Sequence, residues 1–177
     1  MNVYMVFMKL NEMNSHIYSV NIRAREDRRL RMKSEFISHN INSYSFFDAC
    51  TPLEYPIPEL SVKNNEYNAA GIYCCALSHI KLLSNSDGIQ YKIILEDDVE
   101  LCDDFIDRLH LIENVDFDIM YIGGHFRDKY EDTESTSDSN IFKVKLMAGT
   151  EGYIVNCNSS VLPYILKNWN YNYGWDE

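Results

Sequence analysis

Glycine and proline are scarce in this chain, seven and four of 177 residues, which excludes a collagen-like repeat and a low-complexity polymer. No GxxxxGK[ST] string occurs, so a strand followed by acids cannot be read as the second motif of a P-loop nucleotide hydrolase. No apolar run approaches the 18 or so residues a membrane helix needs. The opening stretch, residues 1–9, has a short apolar run but neither a basic lead-in nor a small-residue cleavage site, and it is not read as a signal peptide. The five cysteines (Cys50, Cys74, Cys75, Cys102, Cys157) are odd in number and contain no CxxC. A disulfide scaffold is thereby excluded; reduced thiols in a reducing, cytoplasmic setting are expected, and zinc is disfavoured for want of a metal-thiolate spacing. Basic residues are outnumbered, 16 against 27 acids for a net charge of −11, which disfavours a nucleic-acid partner.

What is present suits one compact domain over residues 1–177: 46% of residues are hydrophobic and 13% aromatic, enough for a core. The charge is uneven. Residues 23–33 carry Arg23, Arg25, Arg28, Arg29, Arg31 and Lys33 against Glu26 and Asp27. Residues 96–118 carry ten acids against Arg108, a net of −9. Such blocks are either solvated helix faces or the two halves of a site for an anion carrying a metal.

Periodicity predicts strands at 17–22, 43–47, 91–95, 117–122, 141–146 and 152–155. Helices are predicted at 26–39, 71–85 and 103–112, with a last one capped by Asn158 or Ser160 and running to Lys167. Residues 51–68, with three prolines, form an irregular connection, and the polar stretch 127–140 a mobile surface loop. Alternating strands and helices imply an α/β sandwich with a mostly parallel sheet, whose ligands bind at the carboxyl ends of the strands. That rule gathers Asn21, Asp48, Glu96, Asp97 and Asp98 on one rim.

Three consecutive carboxylates after the apolar run Tyr91-Lys92-Ile93-Ile94-Leu95 repel one another unless a cation or wide exposure offsets them. If the strand continues, Glu96 and Asp98 point to one side and Asp97 to the other, a pair of oxygen ligands for Mg²⁺ or Mn²⁺ on a diphosphate. The alternative is a strand-to-loop boundary that is acidic without purpose.

The ordered set Val20-Asn21-Ile22-Arg23-Ala24-Arg25-Glu26-Asp27-Arg28-Arg29, Phe47-Asp48-Ala49, Cys75-Ala76-Leu77-Ser78-His79, Ile94-Leu95-Glu96-Asp97-Asp98, Asp118-Ile119-Met120-Tyr121-Ile122-Gly123-Gly124, Gly149-Thr150-Glu151-Gly152-Tyr153 and Trp175-Asp176 resembles glycosyltransferase family 25. These are lipooligosaccharide and procollagen galactosyltransferase-like enzymes, and the likeness spans about residues 17–177. The resemblance implies a GT-A-like, Rossmann-like fold and transfer of a hexose, often galactose, from a UDP-sugar to a hydroxyl on a glycan or protein acceptor, with inversion. It implies Mn²⁺ or Mg²⁺ on Glu96 and Asp98, as a DxD-like motif. Asn21, Arg23, Arg28, Arg29, Asp48, Ser78, His79 and Asp97 would lie on the donor side, with Asp176 as base and Glu177 beside it. Each also has a structural alternative: a solvated helix residue, a buried hydrogen bond, a turn, a frayed tail.

Two departures stand against that pattern. Where the family has GExGC this chain has Gly71-Ile72-Tyr73-Cys74-Cys75, lacking an acid and a close-approach glycine. Many relatives also continue beyond the terminal acid, directly after which this chain stops, so a slow or partner-dependent enzyme is one expectation here. A non-catalytic relative that binds a nucleotide sugar or glycan is the other reading. A soluble domain with unrelated metal-dependent phosphate chemistry is a third.

Overall fold

The computed structural model describes residues 14–55, 69–112, 115–126, 133–136, 141–144 and 147–168. Strands β1 (Ser15–Asn21), β2 (Tyr44–Asp48), β3 (Tyr91–Glu96), β4 (Ile119–Tyr121) and β9 (Gly152–Asn156) form one sheet in the order β2-β1-β3-β9-β4. Helices α1 (Glu26–Ser38), α2 (Ala69–Leu83), α3 (Phe105–Leu111) and α4 (Val161–Asn168) complete an α/β architecture.

The sheet is mixed but leans parallel, as expected: β1, β2, β3 and β4 share one direction, and β9 is the reversed strand of the five. Strand β1 runs parallel to both β2 and β3, but β9 lies between β3 and β4 and is antiparallel to each. Tyr153, Ile154 and Val155 are as buried as Ile93, Ile94 and Leu95 beside them. A strand buried on both faces reads as a continuous apolar run whichever way it points.

Alternation along the strands sorts the core into two faces. Ile17, Ile93, Leu95 and Ile154 pack with Met32 and Phe36 of α1 and with Phe105 and Leu109 of α3. Val20, Ile94, Tyr153 and Val155 pack with Leu82 and Leu83 of α2 and with Leu162 of α4. Burying a large apolar side chain stabilises by about 1.5–3 kcal/mol, so these two layers carry the fold.

Helix ends are closed by named devices. Helix α1 starts without a side-chain cap, but Glu26 and Asp27 in its first turn complement the positive end of its dipole. It ends in a Schellman motif, with Asn40 in the left-handed region at φ 56°. There Asn40 N–H donates to the Ile37 carbonyl at 3.1 Å and Ile41 N–H to the Phe36 carbonyl at 2.8 Å. Helix α2 ends over Lys92, a buried lysine whose Nζ donates to the carbonyls of Leu82 (3.0 Å) and Asn85 (2.7 Å). Helix α4 is capped by Ser159, whose Oγ accepts from Val161 N–H at 3.0 Å, rather than by Asn158 or Ser160.

Within the polar segment 127–140, the described residues 133–135 form a strand. Strand β6 (Thr133–Ser135) pairs antiparallel with β7 (Phe142–Val144), setting Glu134 opposite Lys143. Opposite charges across a pair support a ribbon that composition alone assigns to a loop. Of the predicted strand 141–146, residues 142–144 belong to this ribbon and not to the central sheet, and residues 145–146 lie outside the described residues. A second small pair joins β5 (His125–Phe126) to β8 (Met147–Ala148). No helix among the described residues is long and apolar enough to cross a membrane.

Candidate functional site

The pairing register levels the ends of three strands: Asn21 lies opposite Asp48, and Val20 opposite Glu96. Asn21, Asp48 and Glu96 therefore form one rim, as the parallel half of the sheet predicts.

On the α1 side the rim is a lattice of guanidinium and carboxylate groups. Asp97 is buried, and its two oxygens accept from Asn21 Nδ2 (2.7 Å) and Arg28 Nη1 (2.8 Å). Arg28 Nη1 also donates to Asp98 Oδ2 at 3.0 Å. Arg29 donates from Nε to Asn21 Oδ1 (3.0 Å) and from Nη2 to Asp48 Oδ1 (2.9 Å), its guanidinium lying 4.8 Å above the Phe46 ring. Arg23, largely exposed, reaches the other Asp48 oxygen at 2.7 Å. Arg31, which the sequence reading passed over, donates to the Asp97 carbonyl at 3.0 Å. Basic residues at 23, 28, 29 and 31 leave β1 and climb the first turns of α1 over the acids that end β3. The two charge blocks of the sequence meet here.

Glu96 and Asp98 are not brought onto one side as strand alternation would have them. Strand β3 ends at Glu96, and Asp97 and Asp98 enter a turn, so the two-residue period stops. Asp98 joins Asp97 on Arg28, whereas Glu96 turns to the α2 side. There its Oε1 accepts from Thr150 Oγ1 in a short bond and lies 3.8 Å from Cys75 Sγ and 3.7 Å from His79 Nε2. His79 is fully buried, with Nδ1 2.7 Å from the Tyr153 hydroxyl. The His79 contact foremost, with help from Thr150 and Cys75 and against the opposing pull of burial, holds the Glu96 carboxyl below the ordinary carboxylate range. Burial raises the Tyr153 phenol well above its ordinary value, keeping it neutral.

Two donor-side expectations are likewise relocated. Ser78 is fully buried, accepting from Cys50 N–H at 2.8 Å and donating to the Cys74 carbonyl at 2.6 Å. It ties α2 to the chain leaving β2 and does not line the rim. Asp97 has both oxygens engaged and serves to fix Asn21 and Arg28. Asp176 and Glu177 lie outside the described residues, as do 127–132 and 137–140 of the expected loop.

At the departures from the expected helix opening, Ile72 is exposed while Cys74 is buried with Sγ 3.8 Å from the Tyr55 carbonyl. Cysteine there makes a packing contact, where glycine would leave space. The participation of Cys75, Thr150 and Tyr153 was missed from sequence. Only the four-residue spacing of Cys75 and His79 on one helix hinted at it.

An α/β domain that gathers arginines and acids at levelled strand ends offers charge-assisted hydrogen bonds along one rim. The family model described as "Glycosyltransferase family 25 (LPS biosynthesis protein)" matches residues 14–174, and the chain belongs to that family. It is also 33% identical over 105 residues to a protein of Acanthamoeba polyphaga mimivirus that carries the name "putative glycosyltransferase". That match covers 54% of this chain and 32% of the viral protein, so the chain spans about a third of that relative's length. Asp176 and Glu177 fall beyond the range of the family match as well.

Proposed function

We propose that this chain is a GT-A-type hexosyltransferase that moves a sugar, galactose in the first instance, from a UDP-sugar to a hydroxyl of a glycan or protein, with inversion. Family membership supports glycosyl transfer. The observation that carries the donor assignment is the composition of the α1 rim. Arg23, Arg28 and Arg29 are matched there by Asp48, Asp97 and Asp98. With Arg31 on the Asp97 carbonyl, four guanidinium groups face three carboxylates, a surplus of one positive charge that offsets only part of a diphosphate's charge, so a divalent cation completes the balance.

Asp98 fits that role. Its side chain is about half exposed (48%), and Arg28 engages its Oδ2. Mg²⁺ and Mn²⁺ sites on nucleotides often use only one or two carboxylates, the rest being phosphate oxygen and water. Glu96 faces the other side and is not part of this donor set. When bound, such an ion supplies Lewis-acid stabilisation of the departing diphosphate. The chain's own residues do the remaining work. A guanidinium has five donors, and Arg28 spends Nη1 on its two carboxylates, leaving its other donors for phosphate oxygens. Asp97 and Asn21 hold Arg28 and Arg29 in register, so little side-chain entropy is lost when the donor binds. Asp176, with Glu177 adjacent, is nominated as the base that takes the acceptor proton.

The test is UDP release from a panel of UDP-sugars with and without Mn²⁺. Turnover that needs the ion and disappears in Asp98→Ala is the expected result. Unchanged turnover in that variant removes Asp98 from the mechanism. The exposed Ile72, standing where relatives have an acid, favours a second reading as a non-catalytic binder. UDP affinity without turnover on any donor would select it.

A further inference from the structure

We propose that Cys75, His79 and Glu96 bind one zinc-class divalent transition-metal ion, through Cys75 Sγ, His79 Nε2 and the Glu96 carboxylate. Cys75 and His79 lie four residues apart on α2, one turn above each other on a single helix face, and Glu96 ends β3 beneath them. Their ligand atoms all lie within 4.8 Å of one another. A tetrahedral ion with bonds of about 2.0–2.3 Å spaces its ligand atoms by about 3.3–3.8 Å. Two of the three edges already have that length: Sγ to Oε1 is 3.8 Å and Nε2 to Oε1 is 3.7 Å.

The surroundings match what a metal-bound imidazole and carboxylate need. The opposite ring nitrogen of His79, Nδ1, is 2.7 Å from the buried Tyr153 hydroxyl, which fixes the ring and leaves Nε2 directed at Glu96. Thr150 Oγ1 donates to Glu96 Oε1 and lies 3.6 Å from Cys75 Sγ, orienting both. The loop carrying Thr150 is anchored by Glu96 N–H, which donates to the Glu151 carbonyl at 3.0 Å, and by Gly149 at φ 97°, a conformation that side chains disfavour. One sulfur, one imidazole and one carboxylate select zinc or cobalt over magnesium and calcium. Three protein ligands leave the fourth tetrahedral position to a small exogenous ligand. Cys75 binds as thiolate, its proton passing to solvent, with no change of oxidation state. The ion would clip α2 to the end of β3, on the opposite sheet face from Asp98, and the proposal does not depend on the donor chemistry assigned there.

The experiment uses the full chain, stripped with chelator and titrated with Co²⁺ and then Zn²⁺. The expected result is one equivalent of Co²⁺ with an intense visible tetrahedral spectrum and a thiolate-to-cobalt band in the near ultraviolet. Zn²⁺ should displace it and excess Mg²⁺ should not. Cys75→Ser should lose the thiolate band while keeping its far-ultraviolet circular dichroism, and Asp98→Asn should keep the full spectrum. The wild-type spectrum decides the matter even if Cys75→Ser does not fold. Failure to take up cobalt, a weak octahedral spectrum without a thiolate band, or an unchanged band in folded Cys75→Ser would each overturn the proposal and leave the trio a half-buried hydrogen-bonded cluster.

Discussion

The two sides of the sheet end in different chemistry at the same rim. Toward α1 lie hard, charged and partly exposed groups: Arg23, Arg28 and Arg29 against Asp48, Asp97 and Asp98. Toward α2 lie softer groups packed inward: Cys75, His79 and Tyr153 around Glu96. The last residue of β3, Glu96, feeds one, and Asp97 in the turn after it feeds the other. A single acidic motif therefore has two fates, decided by where the strand gives way to the turn and by the helix each carboxylate meets. Charge at the solvent edge is available to a ligand; charge held among buried partners is mainly positional.

Substitutions can break that contrast. The largest effect is expected from Asp98→Ala: a loss of donor turnover of about 100-fold or more, corresponding to several kcal/mol of Lewis-acid stabilisation. Its denaturant midpoint should stay within about 0.5 kcal/mol of wild type, as for an exposed site. Asp97→Ala should do the reverse first. It strips Asn21 and Arg28 of a buried partner, and urea unfolding should show a loss of about 2–3 kcal/mol, less than for a fully buried pair because Arg28 reaches solvent. Tyr153→Phe leaves His79 Nδ1 without its hydroxyl partner, with an expected cost of about 1–2 kcal/mol and no direct change at the α1 rim.

A smaller effect is expected at the other end of the strands, where Asp87 accepts from Tyr18 (2.6 Å) and lies 3.3 Å from Lys92. Burial alone would raise the Asp87 carboxyl, but Tyr18, the Ile89 amide and Lys92 outweigh it and hold it below the ordinary 3.8. Because the folded value is depressed, this stabilisation is present above pH 3.8 and fades as pH falls through the folded value. Asp87→Asn should therefore flatten the stability loss below about pH 4 in a urea series. Smallest is Arg23→Ala: exposed at 82%, it should leave stability unchanged and raise the donor KM only a few-fold.

Much of this arrangement was legible in the sequence. The apolar run 91–95 had to be a buried strand, and the acids after it had to sit at its carboxyl end. The strand-end rule gathered Asn21, Asp48 and the three acids on that rim, while the basic cluster after β1 was assigned to it by the family resemblance. What stayed hidden depended on the third dimension. The direction of β9 leaves no mark on an apolar run buried on both faces. The turn at Asp97 and Asp98 replaced the alternation that would have paired Glu96 with Asp98. The capping role fell to Ser159 because its Oγ, one residue away from either expected cap, meets both Val161 N–H and Asp118. Cys75 and His79 carried a readable helical spacing, but nothing in the sequence says that Glu96 closes the trio; only the packing of α2 over β3 does.

Calorimetric titration of UDP into the full chain, with and without Mn²⁺, on wild type and Asp98→Ala, tests the central assignment most directly. The account predicts binding that requires the ion in the wild type and is lost in Asp98→Ala, while the variant melts like the parent. Equal UDP affinity with and without Mn²⁺, or an unchanged isotherm in Asp98→Ala, would contradict it.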